Sequence, residues 1–123
     1  MIKNWTIIRD ILLRLEATGT PNTALNANQF AEYTEQEVAY NMRLLCEAGY
    51  IKANILESKS GDGHIAAALA RSLTNSGHDL LDTIRNDTVW VKIQDTFKSK
   101  GIDMTFDLVI TAGKKIAENF LLS

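Results

Sequence analysis

Between Thr34 and Ile51 the stretch TEQEVAYNMRLLCEAGYI carries both ends of one helix. Thr34 and Glu37 stand at capping-box spacing, where each side chain serves the other's backbone N–H. Val38, Met42 and Leu45 follow at i, i+4 and i+7 and form a core stripe. Gly49 stands at the C′ position, where a left-handed residue closes a helix. The opposite face carries Gln36, Tyr40, Arg43 and Glu47. No other segment has its bounds so tightly set.

The neighbouring segments read outward from this helix. Tyr50, Ile51, Ile55 and Leu56 suit a strand, and Ser60-Gly61-Asp62-Gly63 supplies the positive-φ residues of a hairpin turn. The return strand runs through HIAAALARSLT, although its alanines favour helix by propensity. Upstream, Asn4 is a suitable N-cap for a helix to Ala17, with Trp5, Ile8, Leu12 and Leu15 on one face. Gly19 is expected to stop it, and Pro21 to open a polar connection through TPNTALNANQ. No second long helix is expected before Thr34; NQFAEY suits a short turn at most.

Downstream the pattern is helical. Asn75 or Ser76 starts a helix with Leu80, Leu81 and Ile84 inside. Asp87 or Thr88 is expected to cap the next, which holds Val89, Trp90, Ile93 and Phe97 and ends at Gly101. A last helix begins near Thr105. Its apolar residues Phe106, Val109, Ile110, Ile116, Phe120 and Leu121 are spread widely around the axis.

A length of 123 residues fits one domain, with a core over 4–74 and a helical extension over 75–123. A chain of this size buries enough surface to fold without a metal or disulfide. Cys46 is the single cysteine, so no internal disulfide forms and a reducing cytoplasm is the expected setting. The N-terminal apolar runs are broken by Arg9, Asp10 and Arg14, which excludes a signal or membrane-spanning segment there.

The order of helix, short segment, capped helix ending in Gly, and Gly-turn hairpin finishing in LTNSG (Leu73 to Gly77) resembles a winged helix-turn-helix. In that superfamily the helix corresponding to EVAYNMRLLCEAGYI is the recognition helix, and Tyr50-Ile51 would start the wing. The stretches EVAYNMRLL (Glu37 to Leu45) and LTNSGHDLLDTIRNDTVW (Leu73 to Trp90) also resemble a small bacterial and phage family of uncharacterised proteins, a domain of unknown function. The resemblance implies a mainly α fold with a small β-hairpin, a winged-helix-like core and C-terminal helices. It implies no activity and no site residues. The thin region before Thr34 departs from the superfamily, which places the first helix of the turn there.

Duplex DNA binding requires phosphate neutralisation and base-edge contacts. The residues suited to it are Gln36, Tyr40 and Arg43 on the helix, with Lys59 and His64 on the wing. Against this, Thr34 to His64 holds three basic residues and five acidic ones, a net −2 in a chain whose total is also −2. A protein-interaction module without nucleic acid is the alternative. His78 and Asp82, at i and i+4, are too few ligands for a metal site, and Cys46 near a helix C-terminus is expected to be a buried, inert thiol. SGDGH lacks the lysine and spacing of a phosphate loop. We therefore expect neither enzyme activity nor a cofactor.

The crowded stretch from Leu73 to Trp90 reads as a helix junction. Gly77 allows close approach, Asp82 pairs with Arg85, and Trp90 fills the crevice between two helices. The broad apolar surface of the last helix suits either the monomer core or a homodimer through the C-terminal helices.

Overall fold

A computed structural model describes residues 1–18 and 23–122. Gly19 and Pro21, expected to end the first helix and open a polar connection, lie outside the described residues. Among the described residues the chain forms five α-helices and one three-stranded antiparallel sheet. It divides into two compact units, Met1–His78 and Asp79–Ser123.

In the first unit, α1 spans Trp5–Ala17 and is capped by Asn4, whose side chain accepts from the N–H groups of Thr6 and Ile7. The expected Trp5, Ile8, Leu12 and Leu15 are buried, joined by Ile7 and Ile11. Each fully buried Ile or Leu here contributes roughly 1.5–3 kcal/mol by leaving water. The chain continues through β1 (Leu25–Asn26) into a 3-10 turn (Ala27–Gln29). Arg14 fastens this segment to α1. Its guanidinium lies 4.2 Å from the Phe30 ring centroid, pairs with Asp10 at 3.2 Å and Glu32 at 3.3 Å, and donates to the Gln29 carbonyl.

Helix α2 spans Glu35–Glu47 with the Thr34–Glu37 capping box formed, and Val38, Met42 and Leu45 are fully inaccessible. Its end is a Schellman motif: Gly49, at φ +85°, donates to Cys46, and Tyr50 donates to Leu45. Strand β2 (Ile51–Glu57) pairs with β3 (Ile65–Leu73), and β3 also pairs with β1, so the order is β1-β3-β2. The expected two-stranded hairpin is thus part of a larger sheet. β1 is only two residues long, with no alternation to reveal it in the sequence.

The alanine-rich β3 is the central strand. β2 pairs along its length and β1 at Leu69 and Ala70, and Ala68 and Ala70 are fully buried on a strand that packs against α1 and α2. Tertiary pairing overrides alanine's helix propensity here. Gly61 and Gly63, at φ +72° and +78°, make the turn.

Thr74 closes the first unit. Its N–H donates to the Tyr50 carbonyl and its hydroxyl donates to the Gly49 carbonyl at 2.6 Å while accepting from Gly77 N–H at 3.0 Å. This hydroxyl caps helix α3 (Asn75–Ile84), within which the boundary between the units falls.

In the second unit, α4 spans Asp87–Lys100 and α5 spans Phe106–Leu122. The cap of α4 is Asn86, not the expected Asp87 or Thr88: its side chain accepts from Val89 N–H at 3.0 Å. Gly101, at φ +64°, ends α4 as expected, and the Thr105 hydroxyl accepts from Leu108 N–H at the start of α5. Asp82 and Arg85 form the expected pair at 2.9 Å, and Trp90 is buried. Gly113 lets α5 approach closely, since a Cβ there would lie 2.2 Å from the Thr83 methyl.

Candidate functional site: the outer face of α2 and the wing

The segment expected to serve as a wing is the β2–β3 hairpin with its turn, Ser58 to His64. The turn is held locally. Ser58 N–H donates to the His64 carbonyl at 2.8 Å, and His64 N–H donates to the Asp62 carboxylate at 2.9 Å. That N–H holds the Asp62 carboxyl below its ordinary range, helped by a hydrogen bond from Ser60. Lys59 and His64 are both exposed on this turn.

Gln36, expected as a base reader, is hydrogen-bonded within the chain. Its Nε2 donates to the Ile65 carbonyl at 2.7 Å and its Oε1 accepts from the Ile65 N–H at 3.1 Å. The amide therefore closes a two-bond ring with the first residue of β3 and anchors the base of the wing to α2. Bidentate contact to adenine uses those same two groups.

Arg43 is also engaged. It pairs with Glu57 of β2 at 3.2 Å and Glu47 of α2 at 3.9 Å, and lies 5.3 Å from the Tyr40 ring centroid. Its side chain is only 26% accessible, whereas the two glutamates are 66–68% accessible. Tyr40, Arg43, Glu47 and Glu57 thus form one small cluster where α2 faces β2. Leu56, 62% exposed on β2, is an apolar side chain in water beside Glu57 in the sequence. The structure brings Tyr40 and Arg43 together and turns Gln36 to the wing base. Lys59 and His64 occupy the turn.

The sequence offered no local signal for the partners Glu57 and Ile65, which lie 14 residues from Arg43 and 29 from Gln36. The same holds for Asn41. This buried amide accepts from the Asn4 N–H at 2.9 Å and donates to the Glu37 carbonyl at 2.8 Å, joining the cap of α1 to α2.

Among the described residues no group of three His, Cys, Asp or Glu side chains is placed to hold a metal ion. Cys46 is half-buried rather than buried, with Sγ 4.0 Å from the Ala53 carbonyl oxygen, because the end of α2 lies against the start of β2. No described helix is long and apolar enough to cross a membrane.

These features define a mainly helical protein with a small three-stranded antiparallel sheet and an acidic helix-and-hairpin face. The chain belongs to the family described as "Hypothetical protein (DUF2513)", whose model matches residues 3–103. It is similar to a protein of Haemophilus influenzae named "Uncharacterized protein", at 37% identity over 121 residues, covering 98% of this chain and 99% of the relative. No solved structure matches it.

Proposed function

We propose that the first unit is a winged-helix domain acting as a non-catalytic interaction module in the cytoplasm, with a protein as the partner of its helix-and-wing face. The winged-helix assignment is supported by the order α1, β1, 3-10 turn, α2, β2, β3 and by the sheet order β1-β3-β2. In it α2 takes the place of the recognition helix, and the 3-10 turn stands where the superfamily has the first helix of its helix-turn-helix.

The observation that carries the choice of partner is the condition of Arg43. Two carboxylates already neutralise the one cation on the outer face of α2. A phosphate approaching it competes with both, on a helix-and-hairpin segment that also carries Glu35 and Asp62. Leu56, 62% exposed on β2, adds an apolar side chain that suits a protein surface.

Duplex DNA is the second reading, favoured by exposed Lys59 and His64 on the wing together with exposed Lys52 and Arg71 on the sheet. In that reading the protein is a DNA-binding regulatory or accessory factor that grips backbone through the wing.

Retention of the wild type and of a Glu47→Gln/Glu57→Gln variant on a mixed pool of duplex DNA at low salt separates the two. The protein-partner reading expects no retention of the wild type. Sequence-dependent retention of the wild type overturns it, and retention of the variant alone identifies the two glutamates as the barrier.

A further inference from the structure

We propose that α5 is a self-association face, and that two copies of this chain meet through its C-terminal half. Of the seventeen residues of α5, only Val109 and Gly113 are buried. Its apolar arc nevertheless continues through Ile116 and Ala117 to Phe120, 46% exposed, and Leu121, 84% exposed. Lys92 lies 4.3 Å from the Phe120 ring centroid, and the contiguous exposed apolar surface beyond it is of the kind that marks an interaction site.

At this end of α5 lies an open groove of about 510 Å³. Val89, Ala117, Phe120 and Leu121 form its apolar floor, and Asp82 and Asn86 are among its polar walls. Lys114 lies one turn before Ala117 on α5 and shares an adjoining hollow with Asp79 and Asp82. The patch therefore holds an apolar centre, acidic groups on the α3 side and a basic group, Lys114, on α5.

Acid, base and apolar strip on one surface favour a second copy over a foreign partner. A two-fold contact presents the same patch to itself, so the patch must hold both members of every pair. An antiparallel pairing of two α5 helices centred on Ala117 sets residue 114 of one copy opposite residue 120 of the other. Each Lys114 then reaches the groove that the other copy's Asp82 lines, and its aliphatic stem covers the other copy's Phe120. Ala117 at the crossing lets the helices approach closely.

Sedimentation equilibrium of the full chain from about 1 to 200 μM tests this, and its outcome is independent of what the helix-and-wing face binds. The expected result is a species of twice the 13.7 kDa chain mass. Phe120→Asp/Leu121→Asp raises the dissociation constant by roughly 100-fold, as loss of a central apolar anchor does. Both positions are exposed, and far-UV circular dichroism verifies that the variant folds. Lys114→Glu weakens association by roughly 10-fold, and Asp82→Lys in the same chain restores it. A monomer at every concentration overturns the proposal, as does a dimer whose dissociation constant is unchanged by Phe120→Asp/Leu121→Asp.

Discussion

Gly77 lies so close to the Tyr50 carbonyl that a Cβ added at Gly77 would sit 1.9 Å from that oxygen. The same carbonyl accepts from Thr74 N–H, and the Thr74 hydroxyl bridges Gly49 and Gly77. Leu-Thr-x-x-Gly is therefore a lock between the end of α2 and the start of α3. Alanine would gain about 1 kcal/mol in helix propensity, but the obstacle is backbone and cannot swing away. Gly77→Ala is expected to destabilise the fold by roughly 3 kcal/mol in urea unfolding. A variant as stable as the wild type would show the approach is looser than described.

Asn41 tests the joint between α1 and α2. Asn41→Ala leaves the Asn4 N–H and the Glu37 carbonyl without their partner. The expected loss is about 1–3 kcal/mol, seen as a lower thermal midpoint. Asn41→Asp keeps an acceptor for Asn4 but faces the Glu37 carbonyl with an oxygen, so it recovers only part of the loss.

Gln36 is expected to matter for the wing base more than for any ligand. Gln36→Glu keeps the acceptor for Ile65 N–H and loses the donor to the Ile65 carbonyl, while Gln36→Ala loses both. Hydrogen exchange at the Ile65 amide should accelerate in both variants, more in Gln36→Ala. Stability should fall by roughly 1–2 kcal/mol. An unchanged Ile65 exchange rate in Gln36→Ala would remove the clamp from the account.

Arg43 pairs with exposed glutamates, so Arg43→Ala is expected to change stability by less than about 1 kcal/mol, with the difference shrinking in high salt. In the protein-partner account neither the wild type nor this variant is retained on duplex DNA at any salt concentration. A variant that loses measurable DNA affinity would restore Arg43 as a phosphate or base contact.

Elements whose ends are marked by neighbouring residues were legible in the sequence. Thr34–Glu37 and Gly49 bound α2, Gly61 and Gly63 make the wing turn, Gly101 ends α4, and Gly77 is the close approach it was expected to be. Local choices among equivalent residues were less legible. Asn86, Asp87 and Thr88 are all good caps, and the backbone selects the first. Strand β1 and the strand state of AAALA depend on pairing across the sheet, and propensity points the other way. The candidate site suffered most. Helical spacing placed Gln36, Tyr40 and Arg43 on one outward face, but the amide and guanidinium are committed by Ile65 and Glu57, far along the chain.

The central claim is that the helix-and-wing face meets a protein and not duplex DNA. Its most direct test is titration of ¹⁵N-labelled protein with a mixed pool of short duplexes at about 50 and 200 mM salt, following backbone amide shifts. No concerted shift is expected at Gln36, Tyr40, Arg43, Lys59 and His64. Shifts along those residues that are large at low salt, fade at high salt and differ between duplex sequences would contradict it.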